Sequence, residues 1–320
     1  MAQIKILALI ISITGLIILS GCGATETDAD IRYCSVGDLA EDDFSVGLNI
    51  EIPSGEGPFP TIVFIAGSSF QGDVSEWNQE IVEAASRGYV GVSMDYRRTD
   101  IKLENGDTQY PWDAQLEDVK CAIRYLRANA ALHNIDANNI GTAGWSAGAH
   151  LSLMAGMTPG IARFEQEGQF KSYSSDIQAS VSFSAPTDLA LFHNEMPGQR
   201  GLIEELLVDT PAQNPAIYID ASPITYAGSS NTPLLVIHGL KDVNVLPNQA
   251  LLLMNELALA GHSDNTLIMY EESSHFWRGT NKESRDANMY AFFEQKLKGN
   301  SSASLSCSPY PSCLNYTRYQ

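Results

Sequence analysis

Asn139-Ile140-Gly141-Thr142-Ala143-Gly144-Trp145-Ser146-Ala147-Gly148-Ala149-His150 decides how the rest of the chain is read. Its first half is short and apolar, as in a buried strand. Gly144 to Gly148 spell G-x-S-x-G, and residues 149–155 continue as a helix-like run. Strand, sharp turn and helix are the setting in which this motif presents its serine as a nucleophile. So tight a turn leaves no room for a Cβ at either flank and holds Ser146 in a strained conformation. The five-residue pattern alone is common, so its surroundings have to support it.

Working outward, apolar runs alternate with helical stretches, the rhythm of a mostly parallel sheet flanked by helices. Residues 44–52 alternate like an outer strand, and residues 61–66 form a continuous apolar run suited to a strand buried on both faces. A helix is predicted over 77–87, closed by Gly88, and the next strand over 89–94. Apolar residues at helical spacing over 112–131 lead into the strand before Ser146. Strands follow at 177–183, 234–237 and 266–270, and the last helix at 283–298. Residues 188–226 break the rhythm with scattered prolines and read as a small cap insertion after the sixth strand, lying over the site.

The 320 residues carry 44% hydrophobic and 18% charged side chains, the balance of a globular protein. A net charge of -19 excludes a nucleic-acid partner, because phosphates need a positive counter-surface. Lys5, the apolar run 6–19 and the following small residues have the layout of a secretory signal over residues 1–21. Leu19-Ser20-Gly21-Cys22 resembles a bacterial lipobox, which implies cleavage before Cys22 and acylation of that cysteine. Several chains on one residue anchor durably where a single chain does not. The expected location is therefore the bacterial cell envelope, with the protein held on the membrane by Cys22. Residues 22–43 read as a tether, 44–299 as the folded domain and 300–320 as a tail outside the core. Export permits disulfides among Cys34, Cys121, Cys307 and Cys313. Cys307 and Cys313 are near enough in sequence to close a small loop, whereas Cys121, in mid-helix, is expected to be a buried free thiol. No cysteine or histidine cluster suggests a metal, and no cofactor is expected.

A serine hydroxyl needs a base to take its proton and a third group to orient that base. Of the six histidines, His275 lies in the loop after the last strand, where catalytic groups gather in such folds. His150 sits on the helix after Ser146 and is expected to pack inside. His133, His193, His238 and His262 fall at helix ends, in the cap or at a strand end. Asp242 follows the strand that precedes the histidine loop, which makes it the candidate acid ahead of Asp188 and Asp220.

These residues resemble the α/β-hydrolase superfamily, in particular esterases related to the hormone-sensitive-lipase group and the polysaccharide-associated feruloyl and acetyl esterases. The resemblance spans residues 44–298. It rests on Gly144-Trp145-Ser146-Ala147-Gly148-Ala149-His150, Asp95-Tyr96-Arg97-Arg98, Ala221-Ser222-Pro223-Ile224, His238-Gly239-Leu240-Lys241-Asp242 and Ser274-His275-Phe276. It implies a serine carboxylesterase acting on a small-molecule or glycan ester, with catalytic Ser146, His275 and Asp242. Such esterases carry His-Gly-Gly-Gly after the early buried strand. Here Ala66-Gly67-Ser68-Ser69-Phe70 stands in its place. The oxyanion donors are then the backbone N–H of Ala147 with those of Ser68 and Ser69, although a Cβ restricts positive φ at the serines. Losing one such donor costs roughly 3–4 kcal/mol, so the loop matters. Phe192, Met196, Leu206, Phe70 and Trp277 are candidates to line an acyl pocket. Two other readings stay open: a serine peptidase of the prolyl-oligopeptidase type, and a catalytically silent surface lipoprotein that binds a partner on a hydrolase fold.

Overall fold

The computed structural model describes residues 25–34, 46–166, 168–307 and, for the backbone alone, 313–316. The lipobox and Cys22 lie outside the described residues. Among the described residues, nine strands form one sheet in the order β1-β2-β4-β3-β5-β6-β7-β8-β9. They are β1 (Glu26–Cys34), β2 (Val46–Ile52), β3 (Phe59–Ile65), β4 (Val90–Met94), β5 (Ile135–Trp145), β6 (Ala179–Phe183), β7 (Leu234–Gly239), β8 (Asn265–Tyr270) and β9 (Cys313–Tyr316). Strands β4, β3, β5, β6, β7 and β8 are mutually parallel. Antiparallel pairs, β1–β2, β2–β4 and β8–β9, close the two sides.

Alternation along β3 explains the layers. Ile62 and Phe64 face one side, where they pack with Trp77 and Ile81 of the first helical segment and with Phe292 and Phe293 near the C-terminus. Val63 and Ile65 face the other side, against Leu116, Val119, Leu151 and Met154. Helices α1 (Asn78–Ser86) and α8 (Gly279–Leu297) therefore cover the first face. Helices α2 (Ala114–Ala128), α3 (Ala147–Met157) and α7 (Asn248–Leu259) cover the second. A parallel sheet is covered by helices on both faces, and all five residues of β4 and of β6 are accordingly buried.

Three expectations change. The supposed tether contributes β1, whose polar sequence pairs with β2 from Glu26 opposite Ile52 to Cys34 opposite Val46. Backbone pairing, interrupted by two irregularities in register, holds it there together with Tyr33 and Cys34, which are buried in the core at its end. Cys121 is not a free thiol: it is bonded to Cys34, 87 residues away, which ties β1 to α2. The tail is not wholly outside the fold, since β9 adds to β8. Cys307 is also disulfide-bonded.

Residues 188–226 fold into α4 (Leu189–Glu195), α5 (Arg200–Leu207) and α6 (Pro215–Asp220). Asp188 and Asn214 cap two of these helices through their side chains, each taking an N–H that the helix start leaves unsatisfied.

Candidate active site

The C-terminal ends of the parallel strands set out the site. At the end of β5 the register aligns Gly144 with Ile65 on one side and Ser182 on the other. The chain then turns sharply at Ser146, with φ 57° and ψ -119°, and enters α3. The Ser146 N–H donates to the carbonyl of Phe183 at 2.9 Å, which carries the ladder one residue past the strand. Both glycines are sterically required. A Cβ on Gly144 would lie 2.2 Å from the Gly148 carbonyl oxygen, and one on Gly148 would lie 2.1 Å from that of Ile65.

His275 reaches the serine from the loop after β8. Its Nε2 is 3.1 Å from Ser146 Oγ and its Nδ1 is 2.8 Å from Asp242 Oδ2. Asp242 sits in the loop after β7 and is almost fully buried. Its Oδ1 accepts the N–H groups of Asn244 and Val245, each at 2.9 Å. Burial pushes this carboxyl up, but hydrogen bonds with His238 and His275 outweigh it. The group is held well below the usual carboxylate range. A hydroxyl, an imidazole and an ionised carboxylate in this order can move a proton off the serine and stabilise the resulting imidazolium.

The other candidates fall elsewhere. Asp188 caps α4 through the N–H of Leu191, and Asp220 accepts the indole N–H of Trp112 at 3.1 Å. His193 faces Glu204 at 2.7 Å, and His133 faces Asp28 at 3.1 Å. His262 contacts the Thr232 carbonyl at 3.1 Å. His150 is fully buried, with Nε2 2.7 Å from the Ala221 carbonyl, and burial lowers its pKa to about 4. It packs edge-on against Phe70 and Trp112 as a neutral side chain.

Ser68, Ser69 and Phe70 follow β3 in a single turn, and all three adopt positive φ, at 46°, 59° and 63°. The left-handed region is thus occupied at the serines despite their Cβ atoms, at roughly 1–3 kcal/mol per residue. With Ala147 and Ser146 they line a cavity of about 220 Å³. Its remaining wall includes Phe192, Leu202 and Ile203 from the cap, together with Val245 and Phe276. Of the pocket candidates, Phe70 and Phe192 line this cavity. Leu206 is buried in the core with Met196 packed against that core, and Trp277 stacks edge-on against Tyr270 below the site.

Two contributors stand inside the quoted motifs but had no role assigned there. Trp145, the variable residue before the serine, donates its indole N–H to the His275 carbonyl at 2.9 Å, with ring centroids 5.0 Å apart. His238 is wholly buried behind Asp242, with Nε2 2.9 Å from the Val245 carbonyl and 3.4 Å from Asp242 Oδ2. Each belongs to one of the motifs quoted above, but its contact is not marked there: Trp145 meets a residue 130 positions away, and His238 meets Asp242 and Val245 only through the way the loop after β7 turns.

Comparison with known proteins agrees with this architecture. The probable carboxylic ester hydrolase LipM of Mycobacterium tuberculosis is 32% identical over 168 residues, covering 52% of this chain and 37% of LipM. The esterase LipC of the same organism is 30% identical over 200 residues, covering 60% of this chain and 47% of LipC. The chain thus spans less than half the length of either curated relative. A solved truncated form of a carbohydrate esterase from gut microbiota superposes with a TM-score of 0.69 at 25% identity, covering 85% of this chain and 96% of that one. The sheet order, the flanking helices and these likenesses identify an α/β-hydrolase fold. Residues 48–257 match the BD-FAE family model, two thirds of the chain, and the protein belongs to the BD-FAE family.

Proposed function

We propose that the protein is a serine carboxylesterase that hydrolyses a small or carbohydrate-linked ester through an acyl-enzyme. The observation that carries this reading is the hydrogen-bonded chain from Ser146 Oγ through His275 to Asp242, at 3.1 and 2.8 Å. Ser146 attacks the ester carbonyl while His275 Nε2 takes its proton. Asp242 holds the imidazole by Nδ1–H and stabilises its charged form. The backbone N–H groups of Ala147, Ser68 and Ser69 receive the negative charge that develops on the carbonyl oxygen. His275 then protonates the leaving alcohol, and water releases the acyl group by the same steps in reverse. No cofactor takes part.

The ester class draws support from the likeness to carboxylic ester hydrolases and to a carbohydrate esterase. The cavity supports an uncharged acyl or alcohol group, since its wall is mostly apolar. Attachment to the cell envelope through acylated Cys22 is part of the same proposal and rests on Leu19-Ser20-Gly21-Cys22. Replacing Cys22 with alanine should then release the protein from the membrane fraction; continued membrane association would argue against the lipid.

A panel of nitrophenyl esters of graded acyl length, acetylated and feruloylated sugars and peptide anilides tests the assignment. Short esters should be turned over and anilides not. Ser146→Ala should lower ester turnover by at least ~10⁴-fold. Preferred cleavage of the anilides would favour a peptidase, and undiminished turnover in the variant would overturn the serine mechanism.

A further inference from the structure

The strained turn after β3 has no glycine at its three left-handed residues, so something outside it must hold it in place. A carboxylate does so on one side. Glu76 Oε1 accepts the N–H of Gly67 at 2.9 Å, and Oε2 accepts the hydroxyl of Ser68 at 3.0 Å. Glu76 is itself fixed by the short helical turn Val74–Trp77, whose start is capped by Asp73 through the N–H of Ser75. The next residue, Trp77, donates its indole N–H to the Ile65 carbonyl at 3.0 Å, locking that turn to the end of β3. On the other side the Tyr96 hydroxyl lies 2.9 Å from both the Ala66 and Gly67 carbonyls. A Cβ on Gly67 would lie 2.5 Å from the Trp145 carbonyl oxygen, so the loop rests directly on the strand that delivers Ser146.

We propose that Glu76 is a positioning residue for the oxyanion loop, its two carboxylate oxygens fixing the entry to the loop at Gly67 and the first strained residue, Ser68, together. The proposal rests on the reading of Ser68 and Ser69 as oxyanion donors. In a loop where glycine tolerates positive φ on its own, such a tether is unnecessary. Here it substitutes for the missing glycines, because both oxygens of one carboxylate engage consecutive residues at once. Loosening the loop leaves the ground-state pocket in place and weakens binding of the tetrahedral oxyanion, so the effect falls on kcat and not on KM.

The experiment compares wild type, Glu76→Ala, Glu76→Gln and Ser146→Ala on a short nitrophenyl ester, with phenylboronic acid as a tetrahedral-adduct probe and thermal melting as the measure of folding. Glu76→Ala is expected to lose about 10–100-fold in kcat with KM within about twofold, and phenylboronic acid affinity should fall alongside. Glu76→Gln keeps one acceptor for the Gly67 N–H but loses the carboxylate oxygen at Ser68, so its kcat should fall between those of wild type and Glu76→Ala, several-fold below wild type. Wild-type kcat in both Glu76 variants, or a loss confined to KM with boronate affinity unchanged, overturns the proposal. If Glu76→Ala does not fold, Glu76→Gln decides: a several-fold kcat deficit at wild-type melting temperature supports the tether, and wild-type kcat overturns it. Ser146→Ala separates the two levels. Retained turnover there removes the esterase reading, whereas an inactive Ser146→Ala beside an unaffected Glu76→Ala removes the tether alone.

Discussion

The indole N–H of Trp145 donates to the backbone carbonyl of His275 at 2.9 Å, so the residue next to the serine also holds the loop that brings the imidazole to it. The two arms of the site come from β5 and from the loop after β8, 130 residues apart, and this bond spaces them independently of the Ser146–His275 contact.

Trp145→Phe should therefore slow catalysis while leaving the fold intact. Phe keeps an aromatic ring beside His275 and Phe276 but loses the indole N–H together with part of the ring's packing. A hydrogen bond of about 1 kcal/mol corresponds to roughly a 3–10-fold fall in kcat. Steady-state kinetics beside a melting curve check it; an unchanged kcat would mean that the His275 loop holds its place without the indole.

Asp242→Asn keeps the shape and removes the charge. An amide can donate to the imidazole and favour the wrong tautomer, so kcat should fall by about 10³–10⁴-fold. Stability gives a second readout. A carboxyl held below its ordinary value stabilises the fold above about pH 4 and loses that contribution as pH falls through the lowered value. The wild type should weaken below pH 4 more steeply than Asp242→Asn, as measured by denaturant titration at several acid pH values.

Asp95 runs the other way. Burial, opposed by the N–H of Gly47 and helped by repulsion from Asp73 and Asp118, raises its carboxyl to about 7. The folded state then binds the proton more tightly than the unfolded chain does. Its contribution is full below about pH 4 and disappears as pH rises through 7. Between pH 5 and 8 the wild type should lose about 2–3 kcal/mol that Asp95→Asn does not, because the amide oxygen still accepts from Gly47. Urea titrations at the two pH values test this; parallel losses in both proteins would contradict it.

The Cys34–Cys121 bridge joins residues 87 positions apart and ties the edge strand to α2. Replacing both cysteines with serine should cost about 2–5 kcal/mol of stability and leave kcat within about twofold at 25 °C. Calorimetry with activity assays is the check, and a large kcat loss at full folding would show that β1 is coupled to the site.

How much of this could be read from the sequence differs by region. The central strands were legible because each is a short apolar run bounded by turn residues, and burial on both faces leaves little choice of side chain. Ser146, Asp242 and His275 were legible as candidates because each follows a strand, and the structure places them within hydrogen-bonding distance of one another. Strand β1 was not: Glu26-Thr27-Asp28-Ala29-Asp30 has the composition of a linker, and its pairing comes from β2 and from a disulfide that no spacing specifies. Trp145, His238 and Glu76 escaped for a related reason. Trp145 meets a partner 130 residues away, while Glu76 and His238 meet nearby residues through turns whose geometry the sequence does not specify, and a Glu in a polar turn or a Trp beside a serine carries no local mark of such a contact. The Ser68 and Ser69 Cβ atoms argued against positive φ, yet both residues adopt it, since the tertiary contacts of the loop override local preference.

Whether Ser146 is the nucleophile is tested most directly by treating the protein with a fluorophosphonate and mapping the adduct by peptide mass spectrometry. One adduct is expected, on Ser146, lost in Ser146→Ala and formed much more slowly in His275→Ala. An adduct on another residue, or labelling that persists in Ser146→Ala, would contradict it.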